Sequence, residues 1–266
     1  MEEVAGMELS GKVAVVTGAT SGIGQRIAQR FAELGASVAV AGRNMDAAQD
    51  IVADIEERGG RAIPLKMDVS DKASVDQGFD RVVNELGPVD ILVSNAGIQL
   101  VNPIDEYDFA DWKKMMSVHL DGAFLTTQAA LRSMYEHDRG GNVIYVGSAH
   151  SHMASINKCA YVTAKHGLLG LARVLAKEGG KRKVRSFVIS PGLVMTPLIE
   201  KQLPDLARQL GMSEEEALKK ELLKNTVDQE PGSVDEVADL AVFLARQETA
   251  ALSGQSFNCG HGIHMQ

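Results

Sequence analysis

Ser148, Tyr161 and Lys165 follow the spacing Ser-x12-Tyr-x3-Lys. Tyr161 and Lys165 are one helical turn apart, so a helix here presents phenol and ammonium on the same face. A tyrosine at its ordinary pKa of about 10 is a poor base at neutral pH, and each unit of depression needs roughly 1.4 kcal/mol of differential stabilisation of the phenolate. A neighbouring ammonium, Lys165, joined by the positive charge of an oxidised hydride carrier, is a source of that stabilisation. Ser148 can then hold a substrate oxygen while Tyr161 takes or gives its proton. This is the acid–base half of an alcohol–carbonyl interconversion, and it calls for a hydride carrier.

A glycine-rich turn upstream, Thr17-Gly18-Ala19-Thr20-Ser21-Gly22-Ile23-Gly24, meets that need. It follows the apolar run that starts at Val13 and opens a helical pattern, the context in which spaced glycines bring backbone close to a pyrophosphate at a helix N-terminus. Thr17, Gly18, Ser21, Gly22, Ile23 and Gly24 are the expected phosphate-side contacts. Asp68-Val69, at the end of a third strand, offers a carboxylate to an adenine amino group. Asn95-Ala96-Gly97, after a fourth, brings backbone close to a ribose. The second strand ends Ala41-Gly42-Arg43-Asn44, without the carboxylate that would bind ribose hydroxyls and repel a 2′-phosphate. Arg43 there leans the cofactor towards NADP. The competing readings are an arginine stacked on adenine or facing solvent.

These residues need a sheet to hold them. Strand-like runs at 13–17, 37–41, 62–67, 91–94, 142–146, 184–189 and 255–258 alternate with helical patterns at 25–34, 45–58, 72–86, 109–137, 160–178 and 234–245. That alternation predicts an α/β fold, a doubly wound seven-stranded parallel sheet with helices on both faces. The chain of 266 residues carries no Pro- or Ser-rich linker, so one domain over 1–266 is expected. The segment 196–228 is a helical insertion between the sixth and seventh strands, with a capping box beginning at Ser213. An insertion at the carboxyl end of a strand stands where ligands bind in such sheets, and reads as a lid.

Composition excludes several other classes. The formal net charge of -8 argues against a nucleic-acid partner, and the longest apolar runs fall far short of a membrane span. Cys159 and Cys259 are too few and too far apart for a disulfide framework or a zinc site, so no metal is expected and a reducing cytoplasm fits. Met1 to Met7 lacks the parts of a signal peptide and reads as a loose leader.

Taken together, TGxxxGxG at Gly18, Gly22 and Gly24, the NAG at 95–97, the Ser148, Tyr161 and Lys165 set, and Pro191-Gly192 with Thr196 resemble the short-chain dehydrogenase/reductase family, whose fold is Rossmann-type. The resemblance covers nearly the whole chain. It implies Tyr161 as acid/base, Ser148 orienting the reacting oxygen, and Lys165 lowering the tyrosine pKa while holding the nicotinamide ribose. It also implies that Pro191, Gly192, Val194 and Thr196 meet the nicotinamide end, and that the enzyme is a homotetramer. His119 stands in a context where the family usually has asparagine. It either replaces that residue in a proton-relay water chain or fills the space.

A second layer is similar to the bacterial D-3-hydroxybutyrate dehydrogenases: Ser148-Ala149-His150, the run 154–161, Gly97-Ile98-Gln99, and Thr196-Pro197-Leu198-Ile199-Glu200-Lys201-Gln202. By that resemblance Gln99, His150, Lys158 and Gln202 hold a substrate carboxylate, and NAD is the cofactor. An acid next to the reacting centre does need a cation and several donors beside serine and tyrosine. Leu193, Lys224-Asn225-Thr226 and Cys259-Gly260 depart from that branch. The expected reaction is therefore NAD(P)-dependent interconversion of a 3-hydroxy acid and a 3-oxo acid. The rivals are a polyol or sugar-acid dehydrogenase like the gluconate 5-dehydrogenases, a 3-oxoacyl thioester reductase, and a cofactor-sensing protein without turnover.

Overall fold

The computed structural model describes residues 8–265. The leader expected over Met1–Met7 lies outside them. Seven parallel strands form one sheet: β1 (Val13–Thr17), β2 (Ser37–Gly42), β3 (Arg61–Lys66), β4 (Ile91–Ser94), β5 (Gly141–Val146), β6 (Val184–Pro191) and β7 (Ser256–Cys259), in the order β3-β2-β1-β4-β5-β6-β7. The chain winds outward from β1 to β3, then returns to lay β4 on the other side of β1. The crevice between β1 and β4 is thus the switch point where such sheets bind ligands. β1 is buried along its whole length, because helices cover both faces; its sequence is continuously apolar rather than alternating for that reason.

Helices α1 (Gly22–Glu33), α2 (Met45–Glu57) and α3 (Lys72–Glu85) connect the first four strands. α4 (Phe109–Met116), a wide π-helical turn (Ser117–Asp121) and α5 (Gly122–Glu136) lead to β5, and α6 (Cys159–Gly179) leads to β6. The single helix expected over 109–137 is therefore interrupted. α7 (Pro197–Leu210) and the short α8 (Glu214–Ala217) occupy the insertion before α9 (Val234–Ala245). Each buried face follows helical spacing: Ile27, Ala28, Phe31 and Ala32 on α1 pack with Val237, Ala238, Ala241 and Val242 of α9. The other sheet face is covered from α3, α5 and α6, through Phe79, Ala130, Met134 and Leu168. Leu203, Ala207 and Ala217 form a third, small cluster within the insertion, which packs largely on itself. The expected capping box is present, with Ser213 Oγ accepting from Glu216 N.

One buried carboxylate ties the bottom of the sheet. Asp90 accepts from the Val13 amide (2.9 Å) and from Arg139 Nε (2.9 Å), while its carbonyl accepts from Asn142 N (2.9 Å). Strands β1, β4 and β5 are thereby pinned at one level. Asp90→Ala leaves the buried Val13 amide without its partner, and we expect a loss of roughly 1–3 kcal/mol in urea unfolding with little change in the slope. A variant as stable as the parent would show that the network is dispensable.

Candidate active site

The glycine turn is shaped by contacts that only glycine permits. Gly18 has φ +62, and a Cβ there would lie 2.8 Å from the Ala96 Cα. A Cβ on Gly24 would stand 2.5 Å from the Gly18 carbonyl oxygen and closer still to Asn95 Nδ2. Across the crevice, Asn95 Nδ2 donates to Thr17 O (2.9 Å) and Gly18 O (3.1 Å), while the amides of Asn95 and Ala96 donate to Thr17 Oγ1. Thr17 and Asn95, expected as ligand contacts, thus use their side chains to join β4 to the turn. Ser21 precedes α1 without capping it through its side chain, so the helix presents its first amides to the crevice without a side-chain acceptor.

A cavity of about 530 Å³ runs over this turn. Arg43, Asn44, Thr20 and Asp68 line one end, and Gln99, His119, Ser148, Tyr161 and Lys165 line the other. Gly22, Ile23, Val69, Asn95, Ala96, Gly97, Pro191, Gly192, Val194 and Thr196 also line it. Asp68 accepts from the amide and hydroxyl of Ser70 (3.0 and 2.6 Å). Those bonds hold its carboxyl below the usual range, with the charge of Arg43 a smaller cause. The chain after β6 is fixed by backbone pairing of Val194 with Gly232, and Thr196 is set against Gly22, its Cγ2 3.3 Å from where a Cβ would stand.

At the far end the sequence-predicted triad comes together. Ser148 is 7% exposed. Its Oγ accepts from the His150 amide (3.1 Å) and is hydrogen-bonded to Tyr161. Lys165 is buried, donates to Val146 O (2.7 Å), and has its Nζ 5.5 Å from the centre of the Tyr161 ring. The ring edges of His119 and His150 flank Tyr161, at centroid distances of 5.7 and 5.8 Å.

Desolvation governs the electrostatics here. Burial pushes the Tyr161 phenol up, only partly offset by its bond with Ser148. Lys165 is lowered to about 8, and burial holds His119 at about 3 and His150 at about 4, so both imidazoles are neutral. The expected depression of the tyrosine draws on Lys165 together with an oxidised nicotinamide; in the protein by itself the phenol is raised, with burial the largest cause. His119 Nε2 faces the backbone of Ile98, 2.7 Å from its carbonyl oxygen, and Nδ1 is buried without a hydrogen-bond partner among the described residues.

Of the four residues expected at a carboxylate, Gln99 lines the cavity and His150 reaches Ser148 and Tyr161. Lys158 is half-buried, with its ammonium pKa lowered by burial, and neither it nor Gln202 is among the lining residues. On α7 it is Lys201 that lines the cavity. Sequence reading also passed over Thr20, although its packing against Gly42, within 2.5 Å of a Cβ position there, explains the small residue at that strand tip.

The family model for short chain dehydrogenases matches residues 12–207. The chain belongs to this family. It is therefore an oxidoreductase that acts on a CH–OH group with a nicotinamide cofactor. It is 36% identical to the D-beta-hydroxybutyrate dehydrogenase of Rhizobium meliloti, over 91% of this chain and 95% of that one. It is 37% identical to the D-threitol dehydrogenase of Mycolicibacterium smegmatis, over 92% and 90%. A crystal structure of a variant of the actinorhodin polyketide ketoreductase with NADPH superposes with a TM-score of 0.90 at 27% identity, covering 97% of this chain and 98% of that one. No helix among the described residues is long and apolar enough to cross a membrane.

The lowered Lys165 makes a signed prediction. Its folded pKa of about 8 lies below the ordinary 10.5, so between these values the unfolded chain binds more protons and the site's contribution to stability rises with pH. Below pH 8 its penalty is complete. Without cofactor, Lys165→Met should be more stable than the parent at pH 7 by roughly 1–3 kcal/mol, after allowing for the lost bond to Val146. The gap should shrink towards pH 10. Urea unfolding at both pH values checks this, and a less stable variant at pH 7 would refute it.

Proposed function

We propose that the protein interconverts a 3-hydroxy acid and its 3-oxo acid. The observation that carries the reading is the Ser148–Tyr161 hydroxyl pair, Ser148 buried and Tyr161 half-buried, with Lys165 behind it and neutral His150 and Gln99 beside it. A nicotinamide cofactor fits the crevice: α1 opens on it without a side-chain cap, and glycine backbone lines it. Gly18, Ser21, Gly22, Ile23, Asp68, Val69, Ala96 and Gly97 would hold its adenosine and phosphate parts, with Gly24 packed against the turn rather than lining the crevice, and Pro191, Gly192, Val194, Thr196 and Lys165 would hold its nicotinamide part. The cofactor supplies or accepts the hydride.

The chain's own residues handle the proton. In the oxidative direction Ser148 donates a hydrogen bond to the substrate oxygen, and Tyr161, ionised, takes the hydroxyl proton as that oxygen becomes a carbonyl. In reduction the neutral phenol returns it. Burial disfavours the phenolate, so the tyrosine rests protonated, and its ionised form needs the added positive charge of an oxidised nicotinamide beside Lys165. His119 stands beside Tyr161 as a neutral ring that bounds the site or continues the proton path.

Support for the substrate class comes from the R. meliloti relative and from the local donors. His150, kept neutral by burial, is a donor or acceptor rather than a cation. Lys158 is the charge assigned to the carboxylate, with Gln99 and Gln202 completing the clamp as the 196–228 insertion closes as a lid. A single catalytic domain, a homotetramer and a cytoplasmic location belong to the same proposal, resting on the family resemblance. The M. smegmatis relative favours the second reading, a polyol dehydrogenase.

Two measurements decide. Lys158→Ala should lower kcat/KM for a 3-hydroxy acid by about 10- to 100-fold while leaving a neutral secondary alcohol nearly unchanged, since only the acid loses a counter-ion. Tyr161→Phe, as control, should silence both. Equal losses on acid and alcohol in the lysine variant would move the polyol reading ahead.

For cofactor choice we propose NADP over NAD, because Arg43 lines the adenosine end and Gly42 leaves no carboxylate at that strand tip. Arg43→Ala should raise KM for NADP about 10- to 150-fold more than for NAD. A parent that prefers NAD, with a ratio unmoved by the substitution, would reverse this choice.

A further inference from the structure

We propose that Lys201, on the first turns of α7, is the cation that binds the diphosphate of the dinucleotide. Among the described residues, three cationic side chains line the cavity: Arg43, Lys165 and Lys201. Lys165 is buried at the reacting end with its ammonium on Val146 O, and Arg43 stands at the adenosine end near Asp68. The glycine turn between them supplies no positive side chain. Arg26, the nearest arginine on α1, is held by Glu33 (2.7 Å) and Asp235 (2.5 Å). A diphosphate lying over the turn would meet helix amides but no cation there unless one arrives from outside the turn.

The placement of α7 brings one. The helix begins against the turn, with Thr196 Cγ2 and Pro197 Cδ at 3.3 and 4.0 Å from a Cβ position on Gly22. Lys201 is four residues after Pro197, hence on the same helix face. Helical side chains lean towards their own N-terminus, so its stem runs back along Pro197 towards Gly22. It forms no ion pair among the described residues and is free to take an anionic ligand. The same contact would couple the insertion to the cofactor, drawing α7 over the crevice when the dinucleotide is bound.

The inference rests on the proposed function only in taking a dinucleotide as occupant, and its test is binding rather than turnover. Titration calorimetry of the full chain, parent, Lys201→Ala and Lys201→Arg, is run with ADP-ribose and with adenosine at two salt concentrations. The alanine variant should bind ADP-ribose about 5- to 30-fold more weakly, with a flatter salt dependence and unchanged adenosine affinity. Arginine should restore most of the affinity. ADP-ribose binding within twofold of the parent would overturn the proposal, and would do so decisively if kcat/KM for a 3-hydroxy acid fell instead, since Lys201 would then read the substrate carboxylate. If 3-hydroxy acids are not turned over but the ADP-ribose difference persists, the substrate reading fails while Lys201 stands.

Discussion

The bond between Asn95 and the glycine turn sets the geometry on which the site depends. β1 and β4 part at their carboxyl ends because the chain reverses its winding there, and an unsupported crevice would leave the turn free to shift. Asn95 Nδ2 holds two carbonyls of the turn, and Thr17 Oγ1 takes two amides of the opposite strand end. Four hydrogen bonds across the gap fix where the amides of α1 point. They also explain the small residues on both rims, since a side chain at Gly18 or Gly24 would collide with the opposing rim or the turn itself. A ligand meeting this surface encounters backbone already in place, so little ordering cost remains at binding.

The reacting end follows a different logic, that of desolvation. Ser148, His119 and Lys165 are buried, and every titratable group around Tyr161 is driven towards its neutral form. A site of this kind stabilises a neutral phenol when empty and becomes favourable to a phenolate only when positive charge is added beside it. Under the proposed function, the proton affinity of the tyrosine would therefore follow the redox state of a nicotinamide in the neighbouring crevice. Burial is the largest influence on the phenol, and the ammonium of Lys165 is turned towards a backbone carbonyl.

The strands were legible because parallel strands buried on both faces are short apolar runs between turn signals; the run expected at 37–41 becomes Ser37–Gly42, extended only by the residue that packs on Thr20. The triad was legible because its residues lie on one helix and one strand end at fixed spacing. What sequence left hidden were facings. A pattern of apolar residues marks 109–137 as helix, but the extra residue of the wide turn at 117–121 shifts the facing of everything beyond it, and no periodicity announces the insertion. On α7, neighbouring residues differ by about 100° around the axis, so whether Lys201 or Gln202 lines the cavity depended on where the helix docks. That docking is set by contacts of Thr196 and Pro197 with Gly22, distant in sequence.

His119 shows how such a facing becomes chemistry. It lies within the wide turn and is 3% exposed, with its ring against Gly97, where a Cβ would stand 2.7 Å from Cε1. The glycine after Ala96 is thus required by the imidazole as much as by any ligand. With the ring neutral, one nitrogen carries a proton. Nε2 lies between two backbone groups of Ile98, 2.7 Å from its carbonyl oxygen and 3.1 Å from its amide, so it donates to the first or accepts from the second according to the tautomer. Nδ1 is buried with no hydrogen-bond partner among the described residues, and the charge of Lys165 adds to burial in keeping the ring neutral. An asparagine amide would offer both a donor and an acceptor at such a place; this neutral ring has a single unpartnered polar atom, Nδ1. The Ile98 group that bonds Nε2 therefore decides what Nδ1 offers the site: an acceptor where Nε2 donates to the carbonyl, a donor where Nε2 accepts from the amide.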